Sequence, residues 1–202
     1  MSAANGETLS LPKPFVSSEK SLNRCLMDRR SRRRYTAESL TLQEVSSLLF
    51  AADGITNARG FRTAPSAGAT FPMEIYIYAR YVDFLEKGVY HYLPQVHSIE
   101  MIKKGDISRM LSKEALEQKW VANASMLIII AAQMDRTVSV YGERGYRYVY
   151  MEAGHIGQNI YLEAEELGLG TAGIGAFQDD EIKKVLGIDE SPLYIFPIGR
   201  RR

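Results

Sequence analysis

The stretch "DRRSRRRY", residues 28–35, places five arginines in eight positions. A guanidinium is a rigid fork of N–H donors matched to phosphate and carboxylate oxygens. If the stretch is extended, Arg29, Ser31, Arg33 and Tyr35 face one way and Arg30, Arg32 and Arg34 the other. One face then offers two guanidiniums and a hydroxyl, which is a sound phosphate site. A solvated charge run is the alternative for this segment alone. A second basic cluster, Arg200, Arg201 and Arg202, ends a predicted strand. Two such clusters can converge on one phosphate.

Residues 168–173, "GLGTAG", fit the pattern G-x-G-x-x-G. That pattern binds dinucleotides when it follows a strand and opens a helix. Here it follows the longest predicted helix and lacks a βαβ unit around it, so it is not read as a fingerprint. Gly168, Gly170, Gly173 and Gly175 instead leave a backbone poor in Cβ atoms that a flat ligand can approach closely. A glycine-rich turn between helix and strand is the alternative. His91, His97 and His155 lack metal-ligand spacing, and the single Cys25 excludes an intrachain disulfide and a thiolate metal site. No metal is expected. Tyr35, Tyr90, Tyr92 and Tyr141 are candidate substrate-side hydroxyls. His91 is expected to be structural, His155 packed or hydrogen-bonded at an interface, and Cys25 buried on a short helix.

Charge narrows the class. The 25 Lys and Arg are offset by 24 Asp and Glu, a formal charge of +1. This balance argues against a nucleic-acid binder, which usually carries a basic excess or a reading motif. The run "MLIIIAA" at 126–132 is too short to span a membrane. The first residues lack the basic and apolar regions of a signal peptide, so a cytoplasmic protein is expected.

The elements that must hold these residues follow from pattern. Residues 1–18 are polar and read as a flexible N-terminal arm, with residues 19–202 as a single domain. A short helix carries Leu22, Cys25, Leu26 and Arg29 at helical spacing. "LTLQEV" is a helix start, with Thr41 as cap, Glu44 completing a capping box, and Leu40 with Val45 as staple. That helix stops at Gly54. "TAPSAGATFP" at 63–72 is a loop, and "MEIYIYAR" at 73–80 a strand. "GVYHYLP" and "HSIEMI" form a strand pair with a turn near Pro94 and Gln95. Residues 106–118 predict a helix, and "SMLIIIAA" a central strand covered on both faces. From 145 to 167, Val149, Ala153, Ile156, Ile160, Ala164 and Leu167 form one apolar stripe, widened by Met151, His155 and Leu162. A helix so apolar is buried or shared with a second subunit. A short helix "DDEIKKVLGI" and a strand "PLYIFPIGRRR" follow. The pattern is α+β.

Four pieces in order, "RRSRRRY", "PSAGATFPMEIY", "EAEELGLGTAGIGAF" and "PIGR", resemble the FMN-dependent nitroreductase-like superfamily from about residue 24 to 200. "GVYHYLP" and "MEAGHIGQNIYLEAEELGLG" are similar to the branch holding the azoline-oxidising dehydrogenases of thiazole/oxazole-modified peptides. The resemblance implies a three-layer α+β sandwich with a mostly antiparallel sheet, built as an intertwined homodimer with FMN at the interface. It implies that Arg29, Ser31 and Arg33 hold the FMN phosphate, ribityl chain and pyrimidine edge. Pro65, Ser66, Ala67 and Gly68 would contact the ring from the other subunit. Gly170, Thr171, Ala172 and Gly173 would run beside the ring, and Arg200 and Arg202 would reach the phosphate.

The implied activity is NAD(P)H-dependent reduction of a small organic acceptor, such as a nitroaromatic, quinone or enone. Hydride would pass by turns through flavin N5, with no catalytic side chain required. Oxidation of an organic or azoline-type substrate is the first alternative, and FMN binding or storage without turnover the second. The stretch "GATFPME" lacks the amide that many nitroreductases carry after the Pro-Ser loop, so substrate contacts do not transfer from those enzymes.

Overall fold

Strand β5 (Met126–Ala132) is apolar at every position and buried throughout. It therefore needs strands on both edges and cover on both faces. Strands β2 (Met73–Ala79) and β7 (Ser191–Arg200) flank it, with Ile130 opposite Ile75 on one side and Ile128 opposite Phe196 on the other. Beyond β2 lie β3 (Gly88–Leu93), β4 (Ser98–Lys104) and β1 (Thr8–Ser10), and beyond β7 lies β6 (Leu169–Thr171). The computed structural model describes residues 6, 8–15 and 19–202. Among them the sheet has seven strands in the order β1-β4-β3-β2-β5-β7-β6, and every strand pairing is antiparallel.

Side-chain alternation sorts the sheet into two cores. Ile75, Ile77, Ile128, Ile130, Phe196 and Ile198 face α2 (Leu42–Asp53) and α6 (Arg144–Glu166). Tyr76, Tyr78, Leu127, Ile129 and Ile195 face α3 (Ser108–Glu114), α4 (Lys119–Asn123) and α7 (Asp179–Leu186). Helices α1 (Leu22–Asp28) and α5 (Met134–Tyr141) pack on α6. The result is the expected three-layer α+β sandwich.

Helix α6 buries the predicted stripe: Val149, Ala153, Ile156, Ile160 and Ala164 are all in the core. Of the three widening residues, Met151 and His155 are exposed and Leu162 is half-buried. Helix α2 starts on the predicted capping box. The Thr41 hydroxyl accepts from the Glu44 N–H at 3.2 Å, and the Thr41 N–H donates to Glu44 Oε2 at 2.8 Å.

Two expectations differ from the structure. The helix expected over 106–118 is only Ser108–Glu114, because Leu116 and Glu117 both take positive φ and turn the chain; a further short helix, α4, follows beyond the expected range. The expected arm is partly a sheet strand, with Leu9 opposite Ile99, and Leu11 behind it is buried. The Pro12 carbonyl then accepts from Ser46 Oγ at 2.5 Å. The remainder of that expectation, residues 1–5, 7 and 16–18, lies outside the described residues.

Candidate active site

Helix α6 carries Tyr161 on the flank of its buried stripe, partly covered by the first core. Its hydroxyl accepts the Gly173 backbone N–H at 2.7 Å and lies 3.0 Å from Ser31 Oγ. The Arg29 guanidinium sits over the same ring, 5.0 Å from its centroid. One tyrosine therefore joins two residues of the arginine stretch to the glycine segment after α6. Tyr161 was absent from the sequence-based candidates. Its only signal is a polar tip at the edge of an otherwise apolar helical stripe.

The remaining arginines divide by partner. Arg32 lies 3.6 Å from Glu165, whose buried carboxylate also takes Arg201 at 2.6 Å. Arg33 crosses to the other layer, where its guanidinium lies 5.5 Å from the ring centroid of Trp120 on α4. Arg200 makes a two-pronged bond with Glu44, Nη1 to Oε1 at 2.6 Å and Nη2 to Oε2 at 2.9 Å. Arg202 is exposed. Among the described residues, Arg29 and Arg33 have no acid within ion-pair distance, whereas Arg32, Arg200 and Arg201 do.

The glycine segment is packed by the protein's own rings. A Cβ on Gly170 would meet Tyr35 at 3.1 Å, and one on Gly173 would meet Phe196 at 3.1 Å. These glycines admit side chains rather than leaving a bare platform, and the Gly173 N–H is already bonded to Tyr161. Ala172 is buried, and the Thr171 carbonyl accepts from the Arg32 N–H at 2.8 Å. The Thr171 hydroxyl is buried without a partner among the described residues.

The Pro-Ser loop sits elsewhere on α6. Glu152 is buried and hydrogen-bonded to the Ser66 side chain and the Ala67 backbone; burial raises its pKa despite those bonds. Gly68 takes φ 58°, and the Tyr141 hydroxyl fills the space where a Cβ would stand. Pro65, Ser66 and Ala67 line a cavity of about 250 Å³ with Tyr148, Met151 and His155. Nine residues of helix, about 14 Å at 1.5 Å per residue, separate Glu152 from Tyr161. The start of the loop reaches further along the helix, where Asn159 Nδ2 donates to the Thr63 carbonyl at 3.4 Å.

Beneath the loop lies an ionic cluster. Arg62 pairs with buried Asp53 and stacks on Phe71, and Arg136 donates to the Phe71 carbonyl at 2.9 Å. Glu74 accepts from His91 at 2.7 Å and pairs with Arg136 at 2.6 Å. His91 is thus tied to Glu74, whose other oxygen pairs with Arg136. Of the four candidate tyrosines, Tyr90 and Tyr92 are core residues bonded to the Glu86 carbonyl and His97. Tyr35 donates to the Arg32 carbonyl at 2.7 Å. Only Tyr141 stands at the Pro-Ser loop. Cys25 is buried on α1, as expected.

The donor set at Tyr161 fits a flavin phosphate: Arg29 supplies an acid-free guanidinium and Ser31 a hydroxyl, while Arg33 leans over Trp120 on the other layer. Residues 26–200 match the Nitroreductase family, and the chain belongs to it. It is an oxidoreductase of the flavin-using kind. A Methanocaldococcus jannaschii protein named as a nitroreductase is 49% identical over 196 residues, covering 97% of this chain and 98% of that one. The microcin B17-processing protein McbC of Escherichia coli is 25% identical over 135 residues, 64% of this chain and 49% of McbC. The chain thus spans about half of that relative's length. A solved nitroreductase-type structure from Anabaena variabilis superimposes with a TM-score of 0.87 at 32% identity, over 98% of this chain and 42% of that longer one. No helix among the described residues is long and apolar enough to cross a membrane.

Proposed function

We propose that the protein is an FMN-dependent, NAD(P)H-oxidising reductase of small organic acceptors, acting as a homodimer. The observation that carries the reading is the convergence of acid-free Arg29 and Ser31 on Tyr161, next to the Gly173 backbone. Arg29 and Ser31 would bind the phosphate, with exposed Arg202 of the second basic cluster as a further donor. Arg33, which rests over Trp120, would have to swing away from that ring to place a cation at the pyrimidine edge, where it would favour an anionic ring. Residues 170–173 would run beside the ring. A bound FMN supplies hydride transfer at N5.

The loop of residues 65–68 is held at Glu152, about 14 Å along α6 from Tyr161; in the homodimer a second copy would bring Pro65, Ser66, Ala67 and Gly68 to the first copy's flavin. The sequence shows no second nucleotide-binding domain, so nicotinamide and acceptor would take turns over one ring and give parallel double-reciprocal plots. The similarity to a microcin-processing protein favours a second reading, oxidation of an azoline-type substrate.

The test has two stages. The protein is reconstituted with FMN and FAD in competition, and the retained chromophore is released by acid and identified. The loaded protein is then mixed anaerobically with NADH or NADPH while the flavin band is followed. FMN retention and rapid bleaching are expected. Retention of FAD, or of no flavin, overturns the cofactor assignment. FMN retention without bleaching removes the reductase and leaves substrate oxidation or storage.

A further inference from the structure

We propose that Tyr161 is a positioning residue that turns the Ser31 hydroxyl outward as a hydrogen-bond donor to a phosphate oxygen. The inference rests on the FMN reading and adds to it a residue and a proton direction.

The argument is one of donor accounting. A backbone N–H can only donate, so the 2.7 Å bond from Gly173 fixes the Tyr161 oxygen as an acceptor there. The phenolic proton then needs an acceptor of its own. Ser31 Oγ, 3.0 Å away, is the one in reach. The opposite arrangement, with Ser31 donating, would direct two donors at one phenolic oxygen. It would also leave the phenolic proton without an acceptor among the described residues. With Tyr161 donating, Ser31 Oγ accepts, and its own proton is left to point away from the protein. No acceptor for that proton stands among the described residues.

Beside it Arg29 rests on the same ring, its Cζ 5.0 Å from the centroid, with no acid at ion-pair distance among the described residues. One tyrosine therefore aims a neutral donor and a cation together into the same space. A doubly charged phosphate gains from both through charge-assisted bonds. A ribityl hydroxyl gains little from the cation. The same hydroxyl ties this grip to Gly173, so the phosphate site and the backbone of the glycine segment share one anchor.

The variant Tyr161→Phe keeps the ring beneath Arg29 and removes only the hydroxyl. Dissociation constants for FMN and for riboflavin, which lacks the phosphate, are measured on the apoprotein by quenching of flavin fluorescence. FMN binding is expected to weaken about 10-fold or more, the scale of a lost hydrogen bond to a charged group. Riboflavin binding should stay within about twofold. Ser31→Ala should lose FMN affinity similarly, and the double variant little further, because both act through one proton. Equal weakening of both flavins, additive losses, or unchanged FMN binding by Tyr161→Phe each overturn the inference. A parent protein that binds neither flavin overturns the FMN reading itself, a separate outcome. Should Tyr161→Phe not fold, 3-fluorotyrosine at position 161, a stronger donor of nearly the same shape, should tighten FMN and not riboflavin. No change in that comparison overturns the proposal equally.

Discussion

Arg200, at the end of β7, meets Glu44, at the start of α2, through two parallel N–H···O bonds across 156 residues of sequence. Glu44 is buried and also closes the α2 capping box. Removing Arg200 leaves that carboxylate short of its charge partner at a helix start. Arg200→Ala is expected to destabilise the flavin-free protein by about 2 kcal/mol, read as a lower urea midpoint with an unchanged slope. An unaltered midpoint would mean that Arg200 is free for a ligand.

Arg29 behaves in the opposite way. It has a ring beneath it and no acid beside it. Arg29→Ala should weaken FMN about 10- to 100-fold, as expected for a charge-assisted contact. The flavin-free melting point should barely move. Titration with FMN and a thermal melt of the apoprotein separate the two effects, and loss of stability without loss of affinity would contradict the phosphate role.

Glu163 supplies a pH signature. Burial, and then the charge of Glu166, push its carboxyl up to about 7. The folded state holds this proton more tightly than the unfolded state, so stability falls as pH rises from about 4.5 to about 7 and stays lower above it. Glu163→Gln removes that loss. The variant should match the parent near pH 4 and exceed it by roughly 1 kcal/mol at pH 8, measured by urea unfolding across the range. Equal stability at pH 8 would show that the group ionises freely.

Gly199 precedes Arg200 on β7, and a Cβ there would meet Tyr35 Cβ at 2.8 Å. Tyr35 is held by its own bond to the Arg32 carbonyl. Gly199→Ala should therefore cost about 1–3 kcal/mol through overpacking and displace the arginine stretch. Flavin affinity and stability should fall together. A variant with parental values of both would show that Tyr35 can move aside.

What was legible in the sequence was what repeats. The stripe from Val149 to Ala164 is read directly from helical spacing, and the run 126–132 has the uniform burial of a central strand. The α2 start follows from local donor chemistry between Thr41 and Glu44. Strand β1 was missed because three exposed residues carry no alternation, and its partner β4 lies some ninety positions away. The expected helix overran its true end at Glu114 because Leu116 and Glu117, not glycines, adopt the left-handed turn. The arginine stretch was found as a charge cluster, yet its sorting by partner was invisible. Glu165, Glu44, Trp120 and Tyr161 reach it only through the tertiary fold. The extended-chain alternation holds for Arg29 and Ser31, which share Tyr161, while Arg33 leans over Trp120 on the opposite layer.

The Arg32 N–H bonded to the Thr171 carbonyl has a bearing on aggregation. Thr171 lies in β6, the last strand on its side of the sheet. Such an edge exposes unpaired backbone groups that can recruit a strand from another molecule and seed fibrous growth. The arginine stretch covers part of this edge, and its side chains lay several positive charges along it. A second copy approaching by the same edge would bring the same charges and be repelled. Neutralising Arg30 and Arg34, whose side chains are exposed, would leave the sheet intact while removing much of that electrostatic barrier to self-association.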